Sequence, residues 1–248
     1  MSKDWDCYAT EMAGKAAVVF VDMGIAEDAP IERLPVAAWV QVPMLQPDPE
    51  GLLAATEAGA FDAIESALKA RLVTKFTAYV GRVVSDGRCD FHFYTAAATG
   101  WKEQVAGALS EFPAYRFHCG SRPDRDWGIY FERLSPADED LVCLRNRRIC
   151  DTLQRSGDRL EQARPIEHWA YFPDAQARAR FEVMAAELGC EVVDRIDPED
   201  PGDQFGVRVS VSAVPSHRDI DALVLPLHRA ASACDGEYEG WETQVVGD

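Results

Sequence analysis

The sequence of 248 residues lacks any apolar run near the length of about 20 residues that a membrane-spanning helix needs. Its first residues, Met-Ser-Lys-Asp-Trp-Asp, carry acid where a signal peptide carries base. We therefore expect a cytoplasmic protein that does not contact the membrane. At this length, and with 47% hydrophobic residues, two packed domains are the natural expectation.

The seven cysteines include no Cys-x-x-Cys pair and lie scattered through apolar segments. This pattern is typical of reduced core thiols. Cys89 and His92 come closest to a metal motif, but a spacing of three on a strand turns their side chains to opposite faces. We expect no metal and no cofactor, and we expect Cys89 and Cys119 to be buried because they share the phase of Phe91 and Phe117.

Basic residues are scarce, since 25 Lys and Arg stand against 42 Asp and Glu, and the formal net charge is −17. Residues 1–135 carry 13 basic and 19 acidic side chains (−6), whereas residues 136–248 carry 12 and 23 (−11) and no lysine. Such a surface repels phosphate, so direct nucleic-acid binding is disfavoured and a charged partner should be basic. The alternative is that the acidity only keeps the protein soluble.

Periodicity in the first half predicts strands over residues 17–23 and 36–44, followed by an amphipathic helix over residues 51–71. Two further strands, residues 76–84 and 88–95, flank Ser85-Asp86-Gly87, which suits the left-handed backbone of a tight hairpin. These elements predict an antiparallel sheet with helices on one face.

The two halves of the chain repeat one pattern of elements. In the first half a strand at 91–94, a helix at 101–112 and strands at 115–118 and 126–136 follow in order. In the second half the same order runs through 168–172, 177–188, 191–194 and 203–215. The pattern predicts a related βαββ unit in each half, with a bulge or a close backbone approach where an aromatic-Gly-aliphatic triplet enters the last strand.

The second half begins with a leading helix over residues 136–157, for which Ser135 can cap, Pro136 takes the first position and Asp138 completes a capping box. A second helix follows Ser216, and residues 238–246 read as a last strand. The predicted order βαββαβ is that of a ferredoxin-like sandwich. We therefore predict an α+β protein with a first domain at 1–135 and a ferredoxin-like domain at 136–248.

Five pieces of the second half stand out in chain order: Gly157-Asp158, Ile166-Glu-His168, residues 188–192, the acidic loop 197–203 and residues 238–243. Together they resemble the regulator of ribonuclease E activity B, a family of small acidic bacterial proteins. The first half is similar to a bacterial domain of uncharacterised function, and Trp5, the turn at Asp86-Gly87 and Asp126-Trp-Gly-Ile-Tyr carry that similarity. The resemblance implies a non-catalytic regulator that binds the basic region of an RNA-degrading endoribonuclease.

The acidic loop and two tryptophans form the predicted partner-binding site. Four loop carboxylates raise the local negative potential that steers a cationic partner: Asp197, Glu199, Asp200 and Asp203. Trp169 and Trp241 lie among acidic or polar neighbours, as interface anchors do, although the alternative for a Trp on a sheet is a place in the core.

An alternative function is a small-molecule-binding or hydrolytic enzyme in the first domain. Its candidate pocket consists of ionisable side chains on the predicted strands: Asp90, His92, Arg116, His118 and Glu132. The competing interpretation is the polar face of a half-solvated sheet, and we expect Asp90, His92, Arg116 and His118 not to form a closed pocket. No Ser or Cys lies in a nucleophile motif and no Gly-rich loop precedes a helix, so catalysis has no further support.

Overall fold

The computed structural model describes residues 4–200 and 202–247, and the chain divides after Asp140 into two compact units. Both units are α+β with antiparallel sheets, as predicted. The sequence placed the domain boundary slightly earlier, after Ser135, and that position stays a prediction. Among the described residues no helix is both long and apolar enough to cross a membrane.

The N-terminal unit is built on a six-stranded antiparallel sheet in the order β1-β2-β4-β5-β3-β6. Its elements are β1 (Trp5–Met12), β2 (Lys15–Asp22), β3 (Val36–Pro43), α1 (Ala55–Leu72), β4 (Thr77–Ser85), β5 (Arg88–Thr95), α2 (Trp101–Ala108) and β6 (His118–Pro123). The predicted hairpin is confirmed, because Asp86 and Gly87 both take positive φ, 52° and 71°, in its turn. Strand β1 was not predicted, although it pairs with β2 along its whole length.

Both helices of this unit pack on one face of the sheet, as expected. Phe61, Ile64 and Leu68 from α1 and Val105 from α2 lie fully buried in one core with the odd-numbered side chains of β5. Cys89 belongs to this core, as predicted, whereas Cys119 is half-buried because β6 is an edge strand with a neighbour on one side.

The predicted closing strand at 126–136 is wrong, and with it the related βαββ unit of the first half. This segment forms a π-helical turn, Tyr130–Leu134. The Asp124 carboxylate accepts hydrogen bonds from the backbone N–H groups of Gly128 (3.0 Å) and Ile129 (3.0 Å), which favours helical backbone there. Trp127, at φ 57°, is fully buried and stacks on Tyr94 with ring centroids 3.9 Å apart. The segment therefore covers the second face of the sheet instead of extending it.

The C-terminal unit confirms the ferredoxin-like prediction. Its elements are α3 (Asp138–Arg155), β7 (Arg164–Phe172), α4 (Ala175–Glu187), β8 (Glu191–Ile196), β9 (Phe205–Ala213), α5 (Ile220–Ala233) and β10 (Glu237–Glu242). The four strands form an antiparallel sheet in the order β10-β7-β9-β8. This order, with two helices in crossover positions, is the split βαβ arrangement.

Two element boundaries in this unit differ from prediction. Helix α3 begins at Asp138 and not at Pro136, and the Asp140 carboxylate accepts a hydrogen bond from Ala137 N–H (3.0 Å) at its start. Strand β10 ends at Glu242 and not at Val246, since Val246 N–H donates instead to the buried Asp158 carboxylate (2.9 Å). That carboxylate also binds Arg164 at 2.5 Å and so joins the chain end to β7.

Candidate functional site

The sheet of the C-terminal unit has two chemically different faces. Its alternation puts Ile166, Ala170 and Phe172 of β7 into one core with buried residues of α3, α4 and α5. The alternate residues of β7, together with the residues that pair with them on the other strands, lie on the opposite face of the sheet. We call this face the acidic face. It comprises Trp169, Tyr171, Ile196, Arg208 and six carboxylates: Glu167, Glu191, Asp194, Glu237, Glu239 and Glu242.

Charge on the acidic face is poorly balanced. Arg208 is its one guanidinium, and it lies 3.1 Å from the Glu167 carboxylate and 3.9 Å from that of Asp194. The other carboxylates of the face leave a strong net negative potential at a solvent-exposed sheet. A shallow groove of about 330 Å³ runs along Trp169, Tyr171 and Glu239.

Two half-buried aromatic rings stand in the middle of this face. Tyr171 lies across Gly206 of β9, where an added Cβ would come within 2.9 Å of its ring and 3.1 Å of the Ile196 Cβ. The glycine thus makes room for a side chain, the Tyr171 ring, and the strand pairing there is regular, so the predicted bulge or close backbone approach is not seen at this position. Burial and the adjacent Glu239 carboxylate raise the pKa of Tyr171. Trp169 and Tyr171 thus offer aromatic surface amid carboxylates, which suits cationic side chains.

The acidic loop follows Ile196 directly, so it continues the acidic face at one end of the sheet. Asp197 is bound by the Arg178 guanidinium at 2.8 Å, which neutralises part of its charge. Asp203 accepts a hydrogen bond from Asp200 N–H (3.1 Å), and this contact folds the loop so that both carboxylates and Glu199 are exposed. Three of the four predicted loop residues are therefore available to a partner.

Trp241 is not the exposed anchor that the sequence suggested. It is 5% exposed, and its indole N–H donates a 2.7 Å hydrogen bond to the Asn146 side chain of α3. The reason is a β-bulge between Tyr238 and Gly240, which sets Tyr238 and Trp241 on the same core face although they are three residues apart. The Glu-Gly dipeptide inside a strand was the available signal for this bulge.

The N-terminal unit contains a separate cleft of about 350 Å³ against the sheet face that the Tyr130–Leu134 turn covers. Three of the five candidate pocket residues, Asp90, His92 and Glu132, line it, while Arg116 and His118 are exposed and take no part. Arg116 precedes β6 and has no place in the sheet register. The sequence missed the remaining lining, which is Trp39, Gln41, Arg122, Ile129 and Arg133.

The floor of this cleft is buried and ionisable. Arg133 contacts the Asp90 carboxylate at 3.2 Å and Arg88 does so at 3.4 Å. Burial, together with the positive charge of Arg133, lowers the pKa of His92 to about 3, so its imidazole is neutral. Its Nε2 has no hydrogen-bond partner in the described structure. Among the described residues no group of three or more His, Cys, Asp and Glu could hold a metal ion.

Family models match both halves of the chain. The chain belongs to a family of unknown function, DUF695, whose model matches residues 3–135. Residues 145–243 match the model of a second family, the regulator of ribonuclease activity B. The order of the two predicted resemblances is therefore confirmed, and the second match supports a regulator of ribonuclease activity.

No curated protein matches the chain. A solved structure of an unknown protein from Galdieria sulphuraria is 14% identical and covers 84% of this chain and 98% of its own, with a TM-score of 0.24. A putative glycine cleavage system transcriptional repressor is 10% identical over the same shares, with a TM-score of 0.27. TM-scores this low do not establish a shared fold.

Proposed function

We propose that the C-terminal unit regulates an RNA-degrading endoribonuclease by binding a basic segment of that enzyme on the acidic face and the acidic loop. The observation that carries this proposal is the acidic face itself, where six carboxylates surround two half-buried aromatic rings beside one arginine that is already paired. The family match supports the ribonuclease as the regulated enzyme. A cytoplasmic location, where the thiols stay reduced, belongs to the same proposal.

The two parts of the surface have different tasks in binding. Glu199, Asp200 and Asp203 are exposed and extend the field of the face, so they speed encounter with a cationic segment. Trp169 and Tyr171 are half-buried and already in place, so they hold arginine side chains by stacking once the segment has arrived. Loop charges therefore govern association, and the rings govern dissociation.

A disordered, arginine-rich partner segment is the chemistry that fits this surface. Such a segment loses conformational entropy when it orders, which limits its affinity. Because the attraction is between exposed charges, binding weakens steeply with salt. Nucleic acid is the wrong partner for the same surface, since its phosphates are repelled by the carboxylates.

A titration with a synthetic arginine-rich peptide tests the proposal on the full chain. A loop variant with Glu199→Gln, Asp200→Asn and Asp203→Asn should bind more weakly, chiefly through slower association, and its affinity should depend less on salt. A face variant, Trp169→Ala, should mainly dissociate faster, by about fivefold or more for a lost cation–π contact.

The control variant removes an equal number of negative charges elsewhere on the C-terminal unit, at three exposed residues: Asp151→Asn, Glu161→Gln and Glu187→Gln. If this variant loses as much affinity as the loop variant, only net charge matters and the proposed surface is wrong. Peptide binding that withstands every one of these changes would also contradict it.

A further inference from the structure

The cleft of the N-terminal unit is a built cavity that the proposed protein-binding function does not use. Its size, about 350 Å³, lies at the lower end of the range of small-molecule sites. The backbone around it is fixed, because Asp124 binds the N–H groups of Gly128 and Ile129 and the hydroxyl of Tyr94 (2.6 Å). The cleft is therefore preformed, as ligand sites usually are.

An unsatisfied polar atom lies at its floor. His92 is 6% exposed, lines the cleft, and has an Nε2 atom without a hydrogen-bond partner in the described structure. A buried polar atom without a partner is unfavourable, so a ligand group that supplies the missing hydrogen bond would be bound there. A neutral imidazole suits an uncharged partner such as a hydroxyl group.

Charged side chains at the rim of the cleft decide which charged group a ligand can carry at the end away from His92. The Asp90 carboxylate is engaged by Arg133 and Arg88, whereas the exposed Arg122 guanidinium lies near Asp124, whose pKa its charge helps to lower. An exposed guanidinium fork can match a carboxylate bidentately. Glu132 shares the rim and repels a second negative charge, so a monoanion fits better than a phosphate dianion.

Two apolar side chains, Trp39 and Ile129, stand in the otherwise polar lining of the cleft. Trp39 lies flat over Gly120 of β6, where an added Cβ would come within 2.5 Å of the indole, so the glycine fixes the ring against the strand. Ile129 from the covering segment also lines the cleft. These two side chains favour a ligand with a flat or apolar body.

We propose that the cleft binds a small monocarboxylic acid that bears a hydroxyl group and a flat apolar body, with its carboxylate on Arg122, its hydroxyl on His92 Nε2 and its body against Trp39. The lining contains no Ser, Thr or Cys nucleophile, so the proposal is binding and not hydrolysis. It concerns the N-terminal unit alone and stands or falls independently of the peptide-binding surface.

Titration of the full chain with mandelate, followed by calorimetry and by tryptophan fluorescence, tests this directly. Mandelate should bind more tightly than phenylacetate, which lacks the hydroxyl, and than phenyl phosphate, which is a dianion. Arg122→Gln should lower mandelate affinity by about tenfold or more, the loss expected for a charge-assisted contact.

Two further variants keep the result interpretable. Arg125→Gln removes an exposed arginine that does not line the cleft, and it should leave mandelate binding unchanged. His92→Gln should erase the preference for mandelate over phenylacetate while keeping carboxylate binding. Failure of mandelate to bind at millimolar concentration, tighter binding of phenyl phosphate, or equal losses in the two arginine variants would each overturn the proposal.

Discussion

In the N-terminal unit both faces of the sheet are covered, by α1 and α2 on one side and by the segment around Trp127 on the other, whereas the C-terminal helices contribute to a core on one face only. Covering the second face leaves one concave cleft with a buried floor. In the C-terminal unit, the face without helices instead presents a broad charged surface with a shallow groove. The first geometry suits a small ligand and the second suits a polypeptide.

The largest effect we expect separates the two faces of the C-terminal sheet. Trp241→Ala should lower the free energy of unfolding by about 3–5 kcal/mol, because it empties core space and leaves the buried Asn146 carbonyl without its donor. Trp169→Ala should cost much less, because that ring is half-buried on the acidic face. Urea unfolding followed by far-ultraviolet circular dichroism measures both. Equal costs would contradict the assignment of the two faces.

A smaller effect should appear on acidification. Burial lowers the pKa of His168 to about 4, and its Nδ1 shares a 2.8 Å hydrogen bond with the Tyr238 hydroxyl. The pKa of His168 in the folded state lies below its value of about 6.5 in the unfolded state, so protonation favours unfolding. The contribution of neutral His168 to the free energy of unfolding is therefore complete above about pH 6.5 and is lost as the pH falls towards 4. Between about pH 7 and about pH 5 the loss should be about 2 kcal/mol.

His168→Gln isolates this contribution, because the amide can still pair with Tyr238 but does not titrate in the range. Urea midpoints of the variant should change less between the two pH values than those of the unaltered chain. Parallel changes in both proteins would show that His168 is not the buried neutral group described.

The sequence predicted the C-terminal unit better than the N-terminal one for physical reasons. Strict alternation in β7 and β9 and helical spacing in α4 and α5 agree with the final sheet, so local pattern and tertiary packing point the same way. The bulge at Glu239 and Gly240 broke that agreement in β10, and Trp241 was misplaced as a result.

In the N-terminal unit long-range contacts decided what local pattern could not. The alternating residues around Ile129 fit a strand, but the Asp124 carboxylate and the stacking of Trp127 on Tyr94 fix a helical turn instead. Arg122 and Trp39, which complete the cleft, lie far from Asp90 and His92 in sequence and meet them only through the β3, β5 and β6 register. Only the residues on β5 and Glu132 could be named in advance.

Amide chemical-shift mapping of the full chain with the arginine-rich peptide tests the central comparison most directly. We expect the largest shifts at Trp169, Tyr171, Glu199, Asp200 and Asp203, with little change at the cleft residues His92 and Arg122. Mandelate should give the reverse pattern. Peptide-induced shifts concentrated in the N-terminal cleft, or on the exposed sides of α4 and α5, would contradict the account.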